Sequence, residues 1–179
     1  MSRGPETGDL PERGPDWQAA GYYPGPNDTP HPGPASVDLP DPIRSAIVAH
    51  AVAGLPNEAC GLVIGDRPAA EGGRATRWVA LANPAASPYR YEIEPEDLLR
   101  LTIELDDSDE VIWAIVHSHV ASPARPSPTD VRQSFYPDAL YVIVSLRPGE
   151  ADPVTGAESV RAWRIVDGAV HEVDIQSPS

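Results

Sequence analysis

The chain has 179 residues, which is enough for one ordinary domain with a hydrophobic core and hardly for two. It carries 27 acidic and 13 basic residues, and a net charge of -14 disfavours nucleic acid and anionic membrane surfaces as partners. The single cysteine, Cys60, cannot form an internal disulfide, which is typical of a reducing compartment. No stretch approaches the roughly 18 apolar residues of a membrane helix, and the N-terminus lacks the apolar segment of a signal peptide. We therefore expect a soluble cytoplasmic protein.

The N-terminal region differs in composition from the rest of the chain. Residues 1–37 are dominated by Pro, Gly, Asp and Glu and show little periodic apolar content. Such a segment cannot bury enough apolar surface to offset the conformational entropy of ordering. We predict a disordered Pro-rich tail over residues 1–37 and one folded domain over residues 38–179.

Three helices are predicted from apolar residues at helical spacing and from Pro at favourable start positions. The first lies between Pro40 and Gly54, the second covers residues 95–105, and the third covers residues 127–135. The predicted core faces are Ile43, Ile47 and Val48 in the first helix and Leu98, Leu99, Thr102 and Ile103 in the second.

Strands are predicted where apolar and β-branched residues run together between turn residues. In chain order they cover residues 61–65, 77–82, 89–93, 111–119, 139–146, 160–166 and 169–175. The last two form a hairpin around Asp167-Gly168. Because helices and strands interleave, the predicted fold class is α/β, with a mixed β-sheet flanked by helices.

Residues 117–130, HSHVASPARPSPTD, contain three side chains of the types that coordinate metals in proteins. Residues i and i+2 of a strand point to the same face, so His117 and His119 project together from the end of strand 111–119. Asp130 can add a carboxylate if the Pro-rich loop folds back over that end. Two imidazoles and one carboxylate leave one tetrahedral position open, as in catalytic rather than structural zinc sites. Zn²⁺ suits these donors, and the same donors are also compatible with other divalent ions.

Each of these features also has a purely structural interpretation. A lone His-x-His pair is weak evidence for a metal, and Ser127-Pro128-Thr129-Asp130 is a typical helix cap with Ser at N-cap and an acid at N3. The two interpretations are compatible, because a capped helix start would hold Asp130 rigidly toward the strand. Glu58 alone would be a solvated charge, and only its place beside a buried strand singles it out.

Together, Glu58, His117-Ser118-His119, Ser127 and Asp130 resemble the JAMM motif of the Mov34/MPN/PAD-1 metallopeptidases. The resemblance covers residues 39–175, and the stretches PNEACGLVIG, IVHSH, PSPTDV, PDALYVIVSL and WRIVDGAV are similar to a short bacterial branch typified by the CysO-cysteine peptidases of actinobacteria. It implies a JAB1/MPN (cytidine-deaminase-like) domain in which His117, His119 and Asp130 bind Zn²⁺. It also implies that Glu58 is the general base and that the Ser127 hydroxyl stabilises the oxyanion.

The same resemblance implies a hydrolase that removes cysteine from the C-terminal Gly-Gly tail of a small ubiquitin-like sulfur carrier during cysteine biosynthesis. Val120 stands where the deubiquitinating branch usually has Pro, and the chain is too short for the insertions that grip ubiquitin. Both departures favour a small carrier. Two alternatives remain: a JAMM isopeptidase acting on another ubiquitin-like conjugate, and a non-catalytic MPN assembly module. A homodimer is the default expectation for a soluble oligomer.

Overall fold

The computed structural model describes residues 33–150 and 159–176. Within these residues, one sheet contains the strands β1 (Ser36–Asp38), β2 (Cys60–Gly65), β3 (Ala75–Leu81), β4 (Val111–His119), β5 (Leu140–Ser145), β6 (Ser159–Val166) and β7 (Ala169–Gln176). The helices are α1 (Asp41–Ala53), α2 (Pro95–Ser108) and α3 (Pro128–Arg132). The predicted α/β class with a mixed sheet and flanking helices is confirmed.

The strand order β1-β7-β6-β5-β4-β2-β3 places β4 and β5 near the middle of the sheet. These two strands are parallel, whereas β4 pairs with β2, and β5 with β6, in antiparallel fashion. The carboxyl ends of β4 and β5 therefore meet at one edge, where His119 is the register partner of Ser145. The loop after β4 begins at this edge and leads into α3.

The two faces of the sheet are covered by different helices. Val63, Val116 and Val142 face the layer that contains α1, and Leu62 and Ile115 face the layer that contains α2. This alternation follows from the two-residue period of a strand. His117 and His119 continue the face of Ile115, so the strand presents both histidines on the α2 side.

The predicted core face of α2 is confirmed for Leu98, which packs on the core, and is wrong for Leu99 and Ile103. The helix buries Leu101 and Leu105, whereas Leu99 and Ile103 are 54% and 57% exposed. Leu98 borders both apolar stripes of the sequence, and packing against the sheet selects the stripe of Leu101 and Leu105, a choice that helical periodicity alone does not make. The predicted face of α1 is confirmed for Ile43 and Ile47.

The strand predicted over residues 89–93 is also wrong. This segment is an extended loop between β3 and α2. Its alternating pattern arises because Tyr91 and Ile93 pack onto the core cluster, while the Glu92 N–H donates to the Asn83 side chain instead of to a strand. The predicted third helix is shorter than expected, since it ends at Arg132.

The expected boundary between tail and domain falls inside β1. Val37 is buried, and the strand pairs in parallel with β7 through Ile175. Residues 1–32, which make up most of the expected tail, lie outside the described residues. None of the helices in the described part of the chain combines the length and the apolar composition needed to cross a membrane.

Candidate metal centre

Three side chains meet where β4 ends: His117, His119 and Asp130. They are 1%, 4% and 8% exposed, and one donor atom from each lies within 4.8 Å of the others. The two Nε2 atoms are 3.1 Å apart, and they lie 3.3 Å and 3.6 Å from the Asp130 carboxylate oxygens. The chain therefore brings together the three side chains that the sequence suggested as ligands.

Asp130 is held in place by a reciprocal capping box at the start of α3. The Ser127 Oγ accepts the Asp130 N–H at 3.2 Å, and the Asp130 Oδ2 accepts the Ser127 N–H at 2.6 Å. Asp130 is thus both part of the helix cap and a candidate metal ligand, the two roles that the sequence suggested for it. The cap fixes the carboxylate at N3, from which it reaches both imidazoles.

The loop after β4 sets the orientation of His119. Its Nδ1 lies 2.7 Å from the Pro123 carbonyl, which can only accept, so Nδ1 carries a proton, and in the neutral ring Nε2 presents its lone pair to the cluster. The His117 ring stacks on Tyr91, with centroids 4.4 Å apart and planes at 19°. The His117 Nδ1 has no hydrogen-bond partner within the described ranges.

This donor set fits a divalent cation. Two imidazole nitrogens and one carboxylate face one another at these distances, so a single cation can satisfy all three groups together. The hydrogen bond from His119 Nδ1 to a carbonyl is the type of second interaction that fixes the ring of a metal-binding histidine. The residues present therefore match the chemistry of a three-ligand metal site.

The electrostatics favour the metal-binding forms of Asp130 and His117, but they favour the protonated form of His119. Burial acts to raise the pKa of Asp130, but hydrogen bonds from His117, His119 and Ser127 outweigh it and hold the pKa well below its usual range. Burial lowers the pKa of His117 and favours its neutral form. Burial opposes the charged form of His119 too, yet its bonds to Asp130 and Pro123 raise the pKa, so a cation would compete with a proton there.

Glu58 lies beside this cluster, just before β2. It is 6% exposed, and burial raises the pKa of its carboxyl from 4.5 to about 7, although the nearby His119 acts in the opposite direction. A cavity of about 230 Å³ is lined by Glu58, His119, Ser127 and Asp130. Four of the five predicted site residues thus line one cavity, and His117 completes the cluster with Asp130.

A larger, mostly apolar cavity of about 420 Å³ lies next to the first. Tyr91 and Gln133 line both cavities and separate them. Sequence reasoning assigned no role to Tyr91 or to Asn83, which hydrogen-bonds to the Glu58 carbonyl. Asn-Pro after a strand signals a turn, but the contact of Tyr91 with His117 depends on long-range packing that no local pattern encodes.

Comparison with known proteins identifies the family. Residues 40–166 match the model of the prokaryotic homologues of the JAB domain, and this range contains every residue of the cluster. The chain belongs to this family. Its hydrolases depend on a metal, and the buried cluster could hold that metal. The resemblance to JAMM proteins is thereby confirmed, and the chain is a hydrolase of the JAB/JAMM type.

Similar proteins include two named peptidases and one solved structure. The CysO-cysteine peptidase of Mycobacterium tuberculosis is 42% identical over 129 residues, which cover 72% of this chain and 82% of that protein. The desampylase of Haloferax volcanii is 31% identical over 107 residues, 57% of this chain and 75% of that protein. The solution structure of DSY2949 from Desulfitobacterium hafniense superposes with a TM-score of 0.66 at 32% identity, covering 79% of this chain and 92% of DSY2949.

Proposed function

We propose that this JAB-family hydrolase is a zinc-dependent peptidase that cleaves the C-terminal Gly-Cys bond of a small ubiquitin-like sulfur carrier and releases cysteine. The observation that carries this proposal is that Glu58, His119, Ser127 and Asp130 line the same cavity. The 42% identity to a CysO-cysteine peptidase, over 82% of that relative, supports the choice of substrate. A role in cysteine biosynthesis would place the protein in the cytoplasm, in keeping with one unpaired cysteine.

His117, His119 and Asp130 would hold the zinc ion, since two imidazoles and one carboxylate are a common catalytic zinc ligand set. When bound there, zinc supplies Lewis acidity that polarises the scissile carbonyl and makes water a stronger nucleophile. The cap at Ser127 and the hydrogen bond between His119 and Pro123 orient two of these ligands in advance.

Glu58 would act as general base and then as general acid. A carboxyl with a pKa of about 7 gains and loses a proton readily near neutral pH. In the first step the oxygen of the attacking water forms a bond to the scissile carbonyl carbon, and Glu58 takes a proton from that water. In the second step the C–N bond breaks, and Glu58 gives that proton to the amine of the departing cysteine. The net reaction consumes one water.

Ser127 would stabilise the negative charge that develops on the carbonyl oxygen. Its Oγ accepts the Asp130 N–H, so the hydroxyl proton stays available for donation into the cavity. A donor of this type contributes about 3 kcal/mol to transition-state stabilisation. The same serine therefore serves the helix cap through its lone pairs and the reaction through its proton.

A second substrate class is favoured by one observation, the 31% identity to a desampylase. In that case the same side chains would cleave an isopeptide bond between the C-terminal glycine of a ubiquitin-like protein and a lysine side chain. Both reactions cleave an amide bond to the carbonyl of a C-terminal glycine, so the metal cluster and Glu58 do not discriminate between them.

The deciding experiment is intact-mass spectrometry of a sulfur carrier that ends in Gly-Gly-Cys, incubated with zinc-loaded protein. We expect loss of one cysteine residue, abolished by a chelator and by Glu58→Gln. A parallel reaction contains the same carrier joined to a lysine side chain. Cleavage of the lysine conjugate alone would favour the isopeptidase, and cleavage that survives the chelator would contradict the metal mechanism.

A further inference from the structure

Asn83 lies two residues after the end of β3 and hydrogen-bonds to four main-chain groups. Its Nδ2 donates to the Glu58 carbonyl at 2.9 Å and to the Arg90 carbonyl at 3.1 Å. Its Oδ1 accepts the N–H groups of Ala85 at 3.1 Å and of Glu92 at 3.0 Å. Both donor positions and both acceptor positions of the amide are thus used.

These bonds join the candidate base to one wall of the cavity. Residues 84–92 form a loop whose Tyr89 and Tyr91 line the cavity that contains Glu58. The loop is linked to Glu58 a second time, since the Glu58 N–H donates to the Ser87 carbonyl at 2.8 Å. The position of the base and the position of this wall are therefore fixed by one hydrogen-bond network.

The other side of Glu58 is anchored to β4. The Ser118 N–H donates to the Ala59 carbonyl at 2.9 Å, and the Ser118 Oγ accepts the Ala59 N–H at 2.8 Å. Ser118 stands between the two histidines of the cluster. Glu58 precedes the first residue of β2, so its own N–H and C=O lie outside that strand and bond to the 83–92 segment instead.

We propose that Asn83 is a positioning residue for hydrolysis, which holds Glu58 and the cavity wall in one geometry relative to the histidines of β4. This inference rests on the proposed role of Glu58 as the base. A base acts only within hydrogen-bond reach of the proton that it removes, and a displacement of about 1 Å can cost about 100-fold in rate. Loss of the Asn83 donor therefore acts on turnover more than on substrate binding.

The two halves of the amide make the idea testable. Asn83→Ala removes all four bonds, whereas Asn83→Asp keeps an acceptor for Ala85 and Glu92 but loses the donor to Glu58 and Arg90. Asn83 is only half-buried, so water can reach a carboxylate there. Asn57→Ala is the matched control, because this half-buried neighbour of Glu58 joins its turn through its backbone N–H.

The kinetic test measures kcat, KM, zinc content and Tm of the zinc-loaded variants on whichever conjugate the wild type cleaves. We expect Asn83→Asp to lower kcat at least about tenfold with full zinc content, and Asn57→Ala to match the wild type. Wild-type kcat in folded, zinc-loaded Asn83→Asp would overturn the proposal.

A second readout needs neither substrate nor metal. Amide hydrogen exchange at Glu58 should accelerate in both Asn83→Ala and Asn83→Asp, whereas exchange at Glu92 should accelerate only in Asn83→Ala. Unchanged exchange at Glu58 in folded Asn83→Asp would refute the coupling even if the proposed reaction is correct. Wild-type turnover of Glu58→Gln would instead refute the assignment of Glu58 as the base. If Asn83→Ala does not fold, the kinetic and exchange measurements on Asn83→Asp alone test the proposal.

Discussion

The Nε2 atoms of His117 and His119 lie 3.1 Å apart and share one carboxylate, that of Asp130. Adjacent positions on one face of β4 explain why the two imidazoles approach so closely, and the capping box of α3 explains why the carboxylate meets them. Groups buried this deeply are stabilised when a cation neutralises the carboxylate and occupies both lone pairs.

Asp130→Asn should separate the two roles of this residue. An asparagine at N3 keeps an oxygen that can accept the Ser127 N–H, so the cap of α3 is expected to survive. The ligand loses its charge, and we expect zinc affinity to fall by at least about 100-fold, more than is typical when a residue that only hydrogen-bonds to a ligand is replaced. Competition titration against a chromophoric chelator measures the change. Asp97→Asn, which changes a carboxylate of α2 that pairs with Arg100, serves as the control, and an unchanged affinity in Asp130→Asn would remove Asp130 from the ligand set.

Glu58→Gln should stabilise the metal-free protein in a pH-dependent way. Burial raises the pKa of the folded-state carboxyl from 4.5 to about 7, so the folded state binds more protons than the unfolded state between these values. The wild type therefore loses stability as pH rises through this window, and a neutral glutamine does not. We expect the Tm of the variant to exceed that of the wild type clearly at pH 8 and only slightly at pH 5. Equal differences at both pH values would contradict the shift.

Much of the sheet was predictable because its strands are short, apolar and bounded by turn residues. Strand β4 was predicted with its observed limits, 111–119, and the hairpin around Asp167-Gly168 has the positive φ angles, 50° and 79°, that its turn requires. The common direction of His117 and His119 was predictable for the same reason, since a strand fixes where i and i+2 side chains point. These features depend on neighbours in sequence.

The errors concern contacts between residues that are distant in sequence. Periodicity could not choose between the stripes of Leu105 and Ile103 on α2, because the sheet beneath the helix makes that choice. The alternation at residues 89–93 indicated a strand, but the Asn83 side chain satisfies the Glu92 backbone and leaves the segment unpaired with β3. Asn83 itself carries no local signal beyond that of a turn.

The corrected face of α2 gives a stability prediction. Leu105→Ala removes a side chain that is 5% exposed, and we expect the free energy of unfolding to fall by about 2–5 kcal/mol. Ile103→Ala, two residues earlier and 57% exposed, should change it by less than about 0.5 kcal/mol. Urea denaturation with unchanged m-values measures both. Comparable losses for the two variants would show that the helix packs on a different face.

Ser127→Ala should reveal whether the serine acts in the reaction or only in the cap. Loss of the bond from the Asp130 N–H to Oγ is expected to cost about 1 kcal/mol of stability. Loss of the hydroxyl proton should lower kcat by about 100-fold or more while zinc stays bound. Ser127→Thr keeps both functions of the hydroxyl and should restore most of each, whereas Ser134→Ala, which removes a bond to the Val131 carbonyl and lies outside the cavity lining, should leave kcat unchanged. If Ser127→Ala loses the stability but keeps kcat within about threefold, its role is confined to holding Asp130, because a true oxyanion donor contributes far more than that factor.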